Sequence, residues 1–320
     1  MKRKPRQLNG NPFYSPKSFM HMNNPTRRDQ LWGIVRMTRP LTLLSTFSSW
    51  FLGVAIAYGS VYEFSWTSFA YGLIVMILVS SSIHFVNEYA DYETDALTRR
   101  TVYSGGSGVL PSGLVSRVWA RNAAIISAVS GLVFQGVMTV VGIHTPEALV
   151  IALVGTAGGW IYSLPPRLAW RGLGETWNTL LGAWLLPYFG FVQMSGSIAP
   201  WVLVAVLPVT FFAFNNLLAV TWPDRKADAK VGKNTLATRL KPGTLKTLHG
   251  SCILLSLASF TLNGNPPLVM WSSLVAYPLM AHGWLTYTRG EVTGSTIWGL
   301  HILIIAQTLA WFYLGLRGIV

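Results

Sequence analysis

Long apolar stretches recur along the chain, and they constrain its fold more than any other feature. A helix needs about 20 residues to cross the roughly 30 Å hydrocarbon core of a bilayer. Stretches of about that length lie at residues 41–58, 67–87, 120–141, 146–163, 174–194, 199–221, 243–262, 267–286 and 296–315. They lack the alternating pattern of a membrane barrel, and backbone groups in lipid must bond internally, so we predict helices. The predicted fold class is all-α, a polytopic membrane protein with about nine transmembrane helices.

The composition agrees with a membrane protein and excludes several other classes. Apolar residues make up 51% of the 320 positions and charged residues only 11%, whereas soluble domains carry about a quarter charged residues. These values exclude a disordered chain, a coiled coil and a disulfide-rich scaffold. The single cysteine, Cys252, excludes an intramolecular disulfide and a cysteine-based zinc or iron–sulfur site.

The positive charge is distributed in a way that predicts topology. In a nine-span arrangement the N-terminal segment and every second connection lie on one side, and all of the 24 lysines and arginines except Arg317 fall there. Because cytoplasmic loops carry an excess of Lys and Arg, we predict a cytoplasmic N-terminus and a C-terminus on the opposite side. No nucleic-acid partner is then needed to explain the charge. We expect the membrane to be that of a bacterial or archaeal cell.

The N-terminal segment differs in character from the rest of the chain. Residues 1–30 are polar and basic and contain no apolar core of the signal-peptide type. We predict a disordered basic cytoplasmic tail at 1–30, which orients the first span and contacts anionic lipid. The transmembrane domain is predicted at 31–320.

Acidic residues are rare, and more than half of the 11 fall into two short clusters. Asn87, Asp91 and Asp95 follow one another at four-residue intervals at the end of the second predicted span. Asp224 and Asp228 have the same interval after the sixth span. This interval places side chains on one face of a helix. Both clusters are predicted to lie on the cytoplasmic side of the membrane.

Carboxylates one helical turn apart repel each other, so each cluster needs a nearby positive charge. Oxygen ligands, without paired histidines or thiols, favour Mg²⁺, which commonly binds one or two carboxylates together with substrate phosphates. The sequence therefore predicts a Mg²⁺ site for a phosphorylated substrate. The alternative is that the carboxylates are solvated at helix ends and paired with Arg99, Arg100 or Lys230.

The two clusters resemble the signature of the UbiA superfamily of intramembrane prenyltransferases. That signature is an N-x-x-x-D-x-x-x-D motif after the second span and a D-x-x-x-D motif after the sixth, and the resemblance covers roughly residues 31–315. Other stretches are most similar to the branch that prenylates 1,4-dihydroxy-2-naphthoate in menaquinone biosynthesis. They are Arg39-Pro40, Tyr162-Ser-Leu-Pro-Pro-Arg167, Gly172-Leu-Gly-Glu175 and Gly232-Lys-Asn-Thr-Leu-Ala-Thr-Arg239.

The resemblance implies an enzyme that transfers a prenyl group from a polyprenyl diphosphate to an aromatic acceptor. The implied catalytic set, which would hold Mg²⁺ on the diphosphate, is Asp91, Asp95, Asp224 and Asp228. The implied substrate-binding candidates are Asn87, Arg99, Arg100, Tyr162, Arg167, Lys230 and Lys233. The helices would bundle around a central cavity with the active site at its cytoplasmic side.

The implied reaction also needs protection of an allylic cation from water. Aromatic faces stabilise cations, and Tyr89, Tyr92 and Tyr162 are candidates, although tyrosines at span ends also serve as interfacial anchors. We expect the prenyl chain to lie in a lipid-accessible cavity. Its expected aromatic lining is Phe47, Phe51, Trp184, Phe211 and Phe212.

Several alternatives stay open. The stretch Ser104-Gly-Gly-Ser-Gly108 is either a phosphate-binding or lid segment or a simple flexible loop. Glu175 either orients the acceptor or favours the start of a helix electrostatically. The acceptor could instead be a 4-hydroxybenzoate, a chlorophyllide or a lipid, and a transporter with carboxylate-coupled ions is a competing class.

Overall fold

The computed structural model describes residues 25–60, 63–97, 106–262, 264–290 and 294–318. Within these ranges the regular structure is helical, apart from one isolated backbone bridge between Arg171 and Asn234. The first helices are α1 (Arg27–Met37), α2 (Pro40–Gly59), α3 (Trp66–Ala90), α4 (Tyr92–Leu97), α5 (Arg117–Val140) and α6 (Pro146–Ser163). The next are α7 (Gly174–Thr179), α8 (Leu186–Ser195), α9 (Trp201–Ala205), α10 (Leu207–Thr221) and α11 (Arg225–Lys230). The last are α12 (Leu236–Arg239), α13 (Pro242–Ser259), α14 (Pro267–Ser273), α15 (Tyr277–Thr286) and α16 (Gly294–Arg317).

Helix α1 begins inside the segment predicted to be a tail. The backbone N of Asp29 donates to Thr26 Oγ1 at 3.3 Å, and the backbone N of Thr26 donates to Asp29 Oδ2 at 3.0 Å. This reciprocal capping box satisfies two amides at the helix start. Helix α1 therefore covers the end of the predicted 1–30 tail, and residues 1–24 lie outside the described residues.

The predicted spans fall on helical segments of unequal length. Among the described residues, five helical stretches are long and apolar enough to cross a membrane: Arg27–Gly59, Trp66–Ala90, Arg117–Val140, Pro242–Leu262 and Gly294–Arg317. The other predicted spans are shorter or interrupted helices. The all-α membrane fold is thus found, whereas the count of about nine spans stays a prediction.

Proline accounts for the interrupted helices. Pro187, Pro208 and Pro278 each occupy the second residue of a helix, in α8, α10 and α15. Proline has no backbone N–H to donate to the preceding turn, so a regular α-helix cannot continue through it from upstream. In the predicted span 174–194 the helix upstream of Pro187 widens into a π-helical segment, Leu180–Leu185.

Close packing of α2 against α8 forms the centre of the bundle. A Cβ atom placed on Gly53 would lie 1.7 Å from the carbonyl oxygen of Pro187, and one on Gly190 would lie 2.1 Å from that of Trp50. Glycines at both positions let the two backbones touch, as small residues do in membrane helix pairs. The other face of α2 packs on α16, while α3 packs on α5 and α10 packs on α13.

The two acidic clusters meet at one end of this bundle. Helix α3 ends at Ala90 and α10 ends at Thr221. The short helices that follow them, α4 and α11, contact each other. The chain therefore brings segments more than a hundred residues apart to the mouth of one cavity.

Candidate active site

A cavity of about 1080 Å³ lies between the helices at the end where the acidic clusters meet. All four predicted aspartates line it, together with Asn87, Tyr162 and Lys233. The remaining wall is largely aliphatic and includes Leu181, Leu185, Val209, Leu300 and Ile304. The cavity thus has one polar, acidic end and one apolar end.

The first acidic cluster keeps its helical spacing although the helix bends at Asp91. The backbone N of Asp91 donates to Asn87 O at 2.9 Å, and that of Asp95 donates to Asp91 O at 2.8 Å. The side-chain amide of Asn87 donates to Asp91 Oδ2 at 3.0 Å and to Ser163 Oγ at 3.3 Å. Asn87 therefore orients Asp91 and ties it to the end of α6.

The second cluster has the same spacing and the same cavity-facing side. Asp224 precedes α11, and the backbone N of Asp228 donates to its carbonyl oxygen at 2.9 Å. Asp228 is buried. Asp224 and Asp228 are thus presented one turn apart, opposite the first cluster.

Lys233 links the two clusters. Its Nζ lies 3.2 Å from Asp91 Oδ2 and 3.8 Å from Asp228 Oδ1. Burial alone would lower the pKa of the Lys233 ammonium, but the charges of Asp91 and Asp228 outweigh burial and raise that pKa above its ordinary value. Lys233 is therefore a permanent positive charge between the carboxylates.

Two carboxyl groups of the site are short of positive charge. Burial is the main cause that raises the pKa of Asp95 to about 7, although Arg39 opposes it. Burial likewise raises the pKa of Asp228 to about 6 against the opposing charge of Lys233. A further cation near these groups would stabilise their ionised forms.

The donor set fits a magnesium ion that shares its ligands with a substrate. Asp95 Oδ2 is buried and accepts no hydrogen bond from the described residues, while Arg39 Nη2 lies 4.0 Å away. Within the described ranges, no group of three or more His, Cys, Asp or Glu side chains is arranged to hold a metal alone. Mg²⁺ binds hard oxygen atoms and commonly keeps only one or two carboxylates beside phosphate or water. The residues present therefore fit this ion.

A buried carboxylate that sequence analysis left without a role, Glu88, organises the wall beside Asp95. Glu88 is 1% exposed, and it accepts from Arg39 Nε at 2.6 Å and from the Ser107 backbone N and Oγ at 2.7 and 2.6 Å. Gly106 has a positive φ of 63°, and a Cβ there would lie 1.9 Å from Asp95 Oδ2. The described part of the glycine-rich stretch, residues 106–108, is thus pinned over the first cluster, whereas residues 104–105 lie outside the described residues.

Some predicted substrate-binding residues do not reach the cavity. Arg167 is exposed and its guanidinium lies over the Trp170 ring at 5.4 Å from the ring centre. Lys230 is exposed on α11, because residues two positions apart on a helix point in different directions and Asp228 faces inward. Neither lines the cavity. Arg99 and Arg100 lie outside the described residues.

The three candidate tyrosines also differ in whether they line the cavity. Tyr162 lines the cavity. The rings of Tyr89 and Tyr92 instead pack against the Arg117 guanidinium, with distances of 4.9 and 5.1 Å to the ring centres. Because a cation already occupies these rings and neither lines the cavity, the expectation that they face an allylic cation was wrong.

The expected aromatic lining of the cavity was also wrong. Phe47 stacks on Phe51, and Phe51 contacts Phe312, so this face of α2 packs toward α16. The cavity side of α2 carries Leu41, Ser45 and Ser49, which share the opposite face. Of the other three, Trp184 donates its indole N–H to Leu203 O, Phe212 packs on Tyr277, and Phe211 does not line the cavity.

Three further polar residues line the cavity near the second cluster. Glu175, on the first turn of α7, accepts from the Leu236 backbone N at 2.9 Å. Asn216 lies two helical turns before Asp224, at the spacing that places both on one face of α10 and its continuation. Thr235 precedes α12. Asn216, Asp224 and Asp228 are separated by eight and four residues. This spacing is visible in the sequence and could have identified Asn216 as a site residue.

The model of the UbiA prenyltransferase family matches residues 47–314. The chain belongs to the UbiA prenyltransferase family. The curated protohaem IX farnesyltransferase of Gibberella zeae mitochondria is 28% identical to it over 174 residues, which cover 49% of this chain and 32% of that protein. This UbiA chain therefore matches only about a third of that relative's length.

Solved structures of UbiA homologues share the fold. One from Archaeoglobus fulgidus, bound to DMAPP and Mg²⁺, is 19% identical, has a TM-score of 0.61, and the match covers 88% of this chain and 99% of that one. One from Aeropyrum pernix K1 is 17% identical, has a TM-score of 0.64, and the match covers 86% and 98%. A digeranylgeranylglyceryl phosphate synthase structure is 16% identical, with a TM-score of 0.62 over 90% of this chain and 99% of that one. The predicted family and fold class are confirmed.

Proposed function

We propose that the protein is a Mg²⁺-dependent prenyltransferase that joins the prenyl group of a polyprenyl diphosphate to an aromatic acceptor, with 1,4-dihydroxy-2-naphthoate as the first candidate. The observation that carries the proposal is the division of one cavity into an acidic end and an aliphatic end. A donor with an anionic head group and a long hydrocarbon chain requires this division. Membership of a prenyltransferase family supports the reaction type.

The acidic end would bind the diphosphate through metal. Asp91, Asp95, Asp224 and Asp228 would hold Mg²⁺, and Asn87 keeps Asp91 oriented. Magnesium, when bound, neutralises the diphosphate and makes it a better leaving group. The Archaeoglobus fulgidus homologue, whose structure contains DMAPP and Mg²⁺, supports this choice of ion.

Positive side chains add to the stabilisation of the leaving group. Lys233 and Arg39 both line the cavity beside the carboxylates. When the allylic C–O bond breaks, its electron pair remains on the diphosphate, and fixed positive groups stabilise the charge that accumulates there. An electron-rich carbon of the acceptor then forms the new bond to the prenyl carbon and releases a proton.

The aliphatic end would hold the prenyl chain and exclude water. Leucine, isoleucine and valine side chains dominate this wall, and water would otherwise convert the allylic cation to an alcohol. Leu41, Leu44 and Trp298 line the cavity and are also exposed on the outside of the bundle. The chain would enter from lipid at this side.

We place the acid clusters at the cytoplasmic face of a bacterial or archaeal cell membrane. The lysines and arginines that surround them support this orientation. The N-terminal tail, residues 1–30, would lie on the same side, and the C-terminus on the other.

A second candidate acceptor is haem. The partial match to a protohaem IX farnesyltransferase favours it over the remaining alternatives. Haem and dihydroxynaphthoate differ greatly in size. A single panel of transfer reactions would therefore show which of the two acceptors the protein uses.

The test is a transfer reaction with purified protein, Mg²⁺ and polyprenyl diphosphates of several lengths. The acceptors are 1,4-dihydroxy-2-naphthoate, 4-hydroxybenzoate and protohaem, and products are identified by mass spectrometry. We expect prenylated dihydroxynaphthoate, no product after EDTA, and at least about a hundredfold loss of rate in Asp91→Asn and Asp224→Asn.

The matched control is Glu93→Gln, which changes an exposed carboxylate inside the first motif. It should keep wild-type activity. Full activity of Asp91→Asn or Asp224→Asn would refute the metal site, and prenylated haem alone would reassign the acceptor. Uptake of a labelled ion into proteoliposomes without any prenyl donor would favour a transporter.

A further inference from the structure

Glu175, a carboxylate outside the two acid clusters, has a buried oxygen without a hydrogen-bond partner among the described residues. Glu175 is 2% exposed, and its Oε1 accepts from the Leu236 backbone N at 2.9 Å. Its Oε2 is buried and accepts no hydrogen bond from any described residue. A buried carboxyl oxygen without a hydrogen bond is strongly unfavourable. Because Glu175 lines the cavity, this oxygen lies at the cavity wall in need of a donor.

The hydroxyl of the neighbouring residue Thr221 is already engaged within its own helix. Thr221 lies beside Glu175 on the cavity wall, but its Oγ1 donates to Leu217 O at 2.9 Å. A hydroxyl has a single hydrogen to donate. Glu175 Oε2 is thus left for a group that enters the cavity.

Two more oxygen atoms of the same wall lack hydrogen bonds from the described residues. They are Asn216 Oδ1 and Thr235 Oγ1, both buried. Helix α10, which carries Asn216, packs against α7, which carries Glu175, and Thr235 directly precedes Leu236. Two acceptor oxygens and one hydroxyl, which can accept or donate, therefore line one part of the cavity, so acceptors predominate there.

This arrangement selects against a diphosphate and for a hydrogen-bond donor. Diphosphate oxygens are anionic acceptors, so they cannot pair with a carboxylate or with the oxygen of an amide. A hydroxyl group can donate to each of these atoms. The second substrate of the proposed reaction carries such a group.

We propose that a hydroxyl group of the acceptor substrate donates its one hydrogen to Glu175 Oε2 or to the neighbouring Asn216 Oδ1, and that Thr235 Oγ1 contacts the same hydroxyl. The acceptor class is then a hydroxyl-bearing aromatic compound, and the inference rests on the prenyltransferase function proposed above. A hydrogen bond from the hydroxyl to a carboxylate increases electron density on the hydroxyl oxygen. This makes the conjugated ring a better nucleophile toward the prenyl carbon.

The test compares matched ligand pairs by isothermal titration calorimetry, without Mg²⁺ or prenyl donor. The pairs are 1-hydroxy-2-naphthoate with 1-methoxy-2-naphthoate, and 4-hydroxybenzoate with 4-methoxybenzoate. We expect the wild type to bind the hydroxyl member of at least one pair about tenfold more tightly, as a charge-assisted hydrogen bond predicts. In Glu175→Gln that preference should disappear, because the cavity-facing oxygen becomes an amide.

Further variants separate recognition from structural damage. Asn216→Leu keeps the side-chain shape and leaves the Leu236 contact intact, so a reduced preference in this variant supports the proposal even if Glu175→Gln folds poorly. Glu175→Asp should restore part of the preference, and Glu147→Gln, an exposed carboxylate at the start of α6, should change nothing.

Two results would overturn the proposal: a wild type without preference in either pair, or an unchanged preference in both cavity variants. Because binding is measured without transfer, these outcomes are independent of whether the wild type makes a prenylated product.

Discussion

At the scale of single residues, the site depends on pairs of opposite charge that lie far apart in sequence. Lys233 bridges Asp91 and Asp228, and Arg39 pairs with Glu88 across 49 positions. The spacing of the aspartates was readable in the sequence, because four-residue intervals follow from helix geometry. The pairing of Arg39 with Glu88 was not, because no local rule connects the start of α2 with the end of α3.

The Glu88 contacts predict a stability effect. In Glu88→Ala the Arg39 guanidinium loses its buried partner, and the Ser107 amide and hydroxyl lose their acceptor. We expect the free energy of unfolding to fall by about 2 kcal/mol, the scale of hydrogen bonds to a charged group. Thermal unfolding in detergent would measure this, and limited proteolysis should show faster cleavage near residues 106–108.

Glu93→Ala is the matched control, since it removes an exposed carboxylate from the neighbouring turn. Its unfolding and proteolysis should equal those of the wild type. Equal stability of the Glu88 and Glu93 variants would show that the Ser107 segment is held by other contacts.

At the scale of elements, glycine and proline decide how the helices are built and packed. Proline interrupts three predicted spans, and glycine allows α2 and α8 to touch. Glycines of α6 also allow close packing of side chains: Leu181 lies against Gly158 and Ile83 against Gly159. Hydropathy identifies the spans, but it does not identify the partner of each glycine.

The α2–α8 contact predicts a severe packing defect. In Gly53→Ala the new methyl group would overlap the carbonyl of Pro187, which is backbone and cannot turn away. We expect a loss of stability of about 3 kcal/mol, the upper part of the range for overpacking. Size-exclusion chromatography in detergent and thermal unfolding would measure it.

Gly136→Ala is the control, because a Cβ there meets nothing within 4 Å. This helical position should tolerate alanine or gain up to about 1 kcal/mol. A Gly53→Ala variant as stable as Gly136→Ala would mean that the two helices separate at low cost.

At the scale of the whole molecule, the bundle collects the four aspartates, Lys233 and Arg39 at one end of the cavity and leaves the rest of the cavity wall largely aliphatic. The ends of α3 and α10 supply the acids, and the start of α2 supplies Arg39. Such an arrangement suits an enzyme whose substrate has its head group at the membrane surface and its tail in lipid. The orientation relative to the cytoplasm is a separate question, which labelling would answer.

The positive-inside pattern predicts opposite labelling of two engineered cysteines. Cys252→Ser removes the buried native thiol. In that background Lys226→Cys lies at the acid-cluster end, and Val141→Cys lies beyond the far end of α5, both at exposed positions. In intact cells a membrane-impermeant maleimide should label position 141 and not position 226, whereas lysed cells should be labelled at both. The reverse pattern would place the acid clusters outside.

The sequence alone determined the membrane class, the helical fold, the family and the spacing of the four aspartates. The membrane class, the helical fold and the aspartate spacing follow from local periodicity: apolar runs of span length, and acids repeated every four residues. The family follows from the resemblance of the two aspartate motifs to a known signature. The tertiary structure alone decided that Lys233 lies between the clusters, that Glu88 holds Arg39 and Ser107, and that Arg167 and Lys230 face away. It also decided that Glu175 lines the cavity with an oxygen that has no hydrogen-bond partner among the described residues. These contacts depend on which distant helices meet, and that is set by the packing of glycines, prolines and side chains across the bundle.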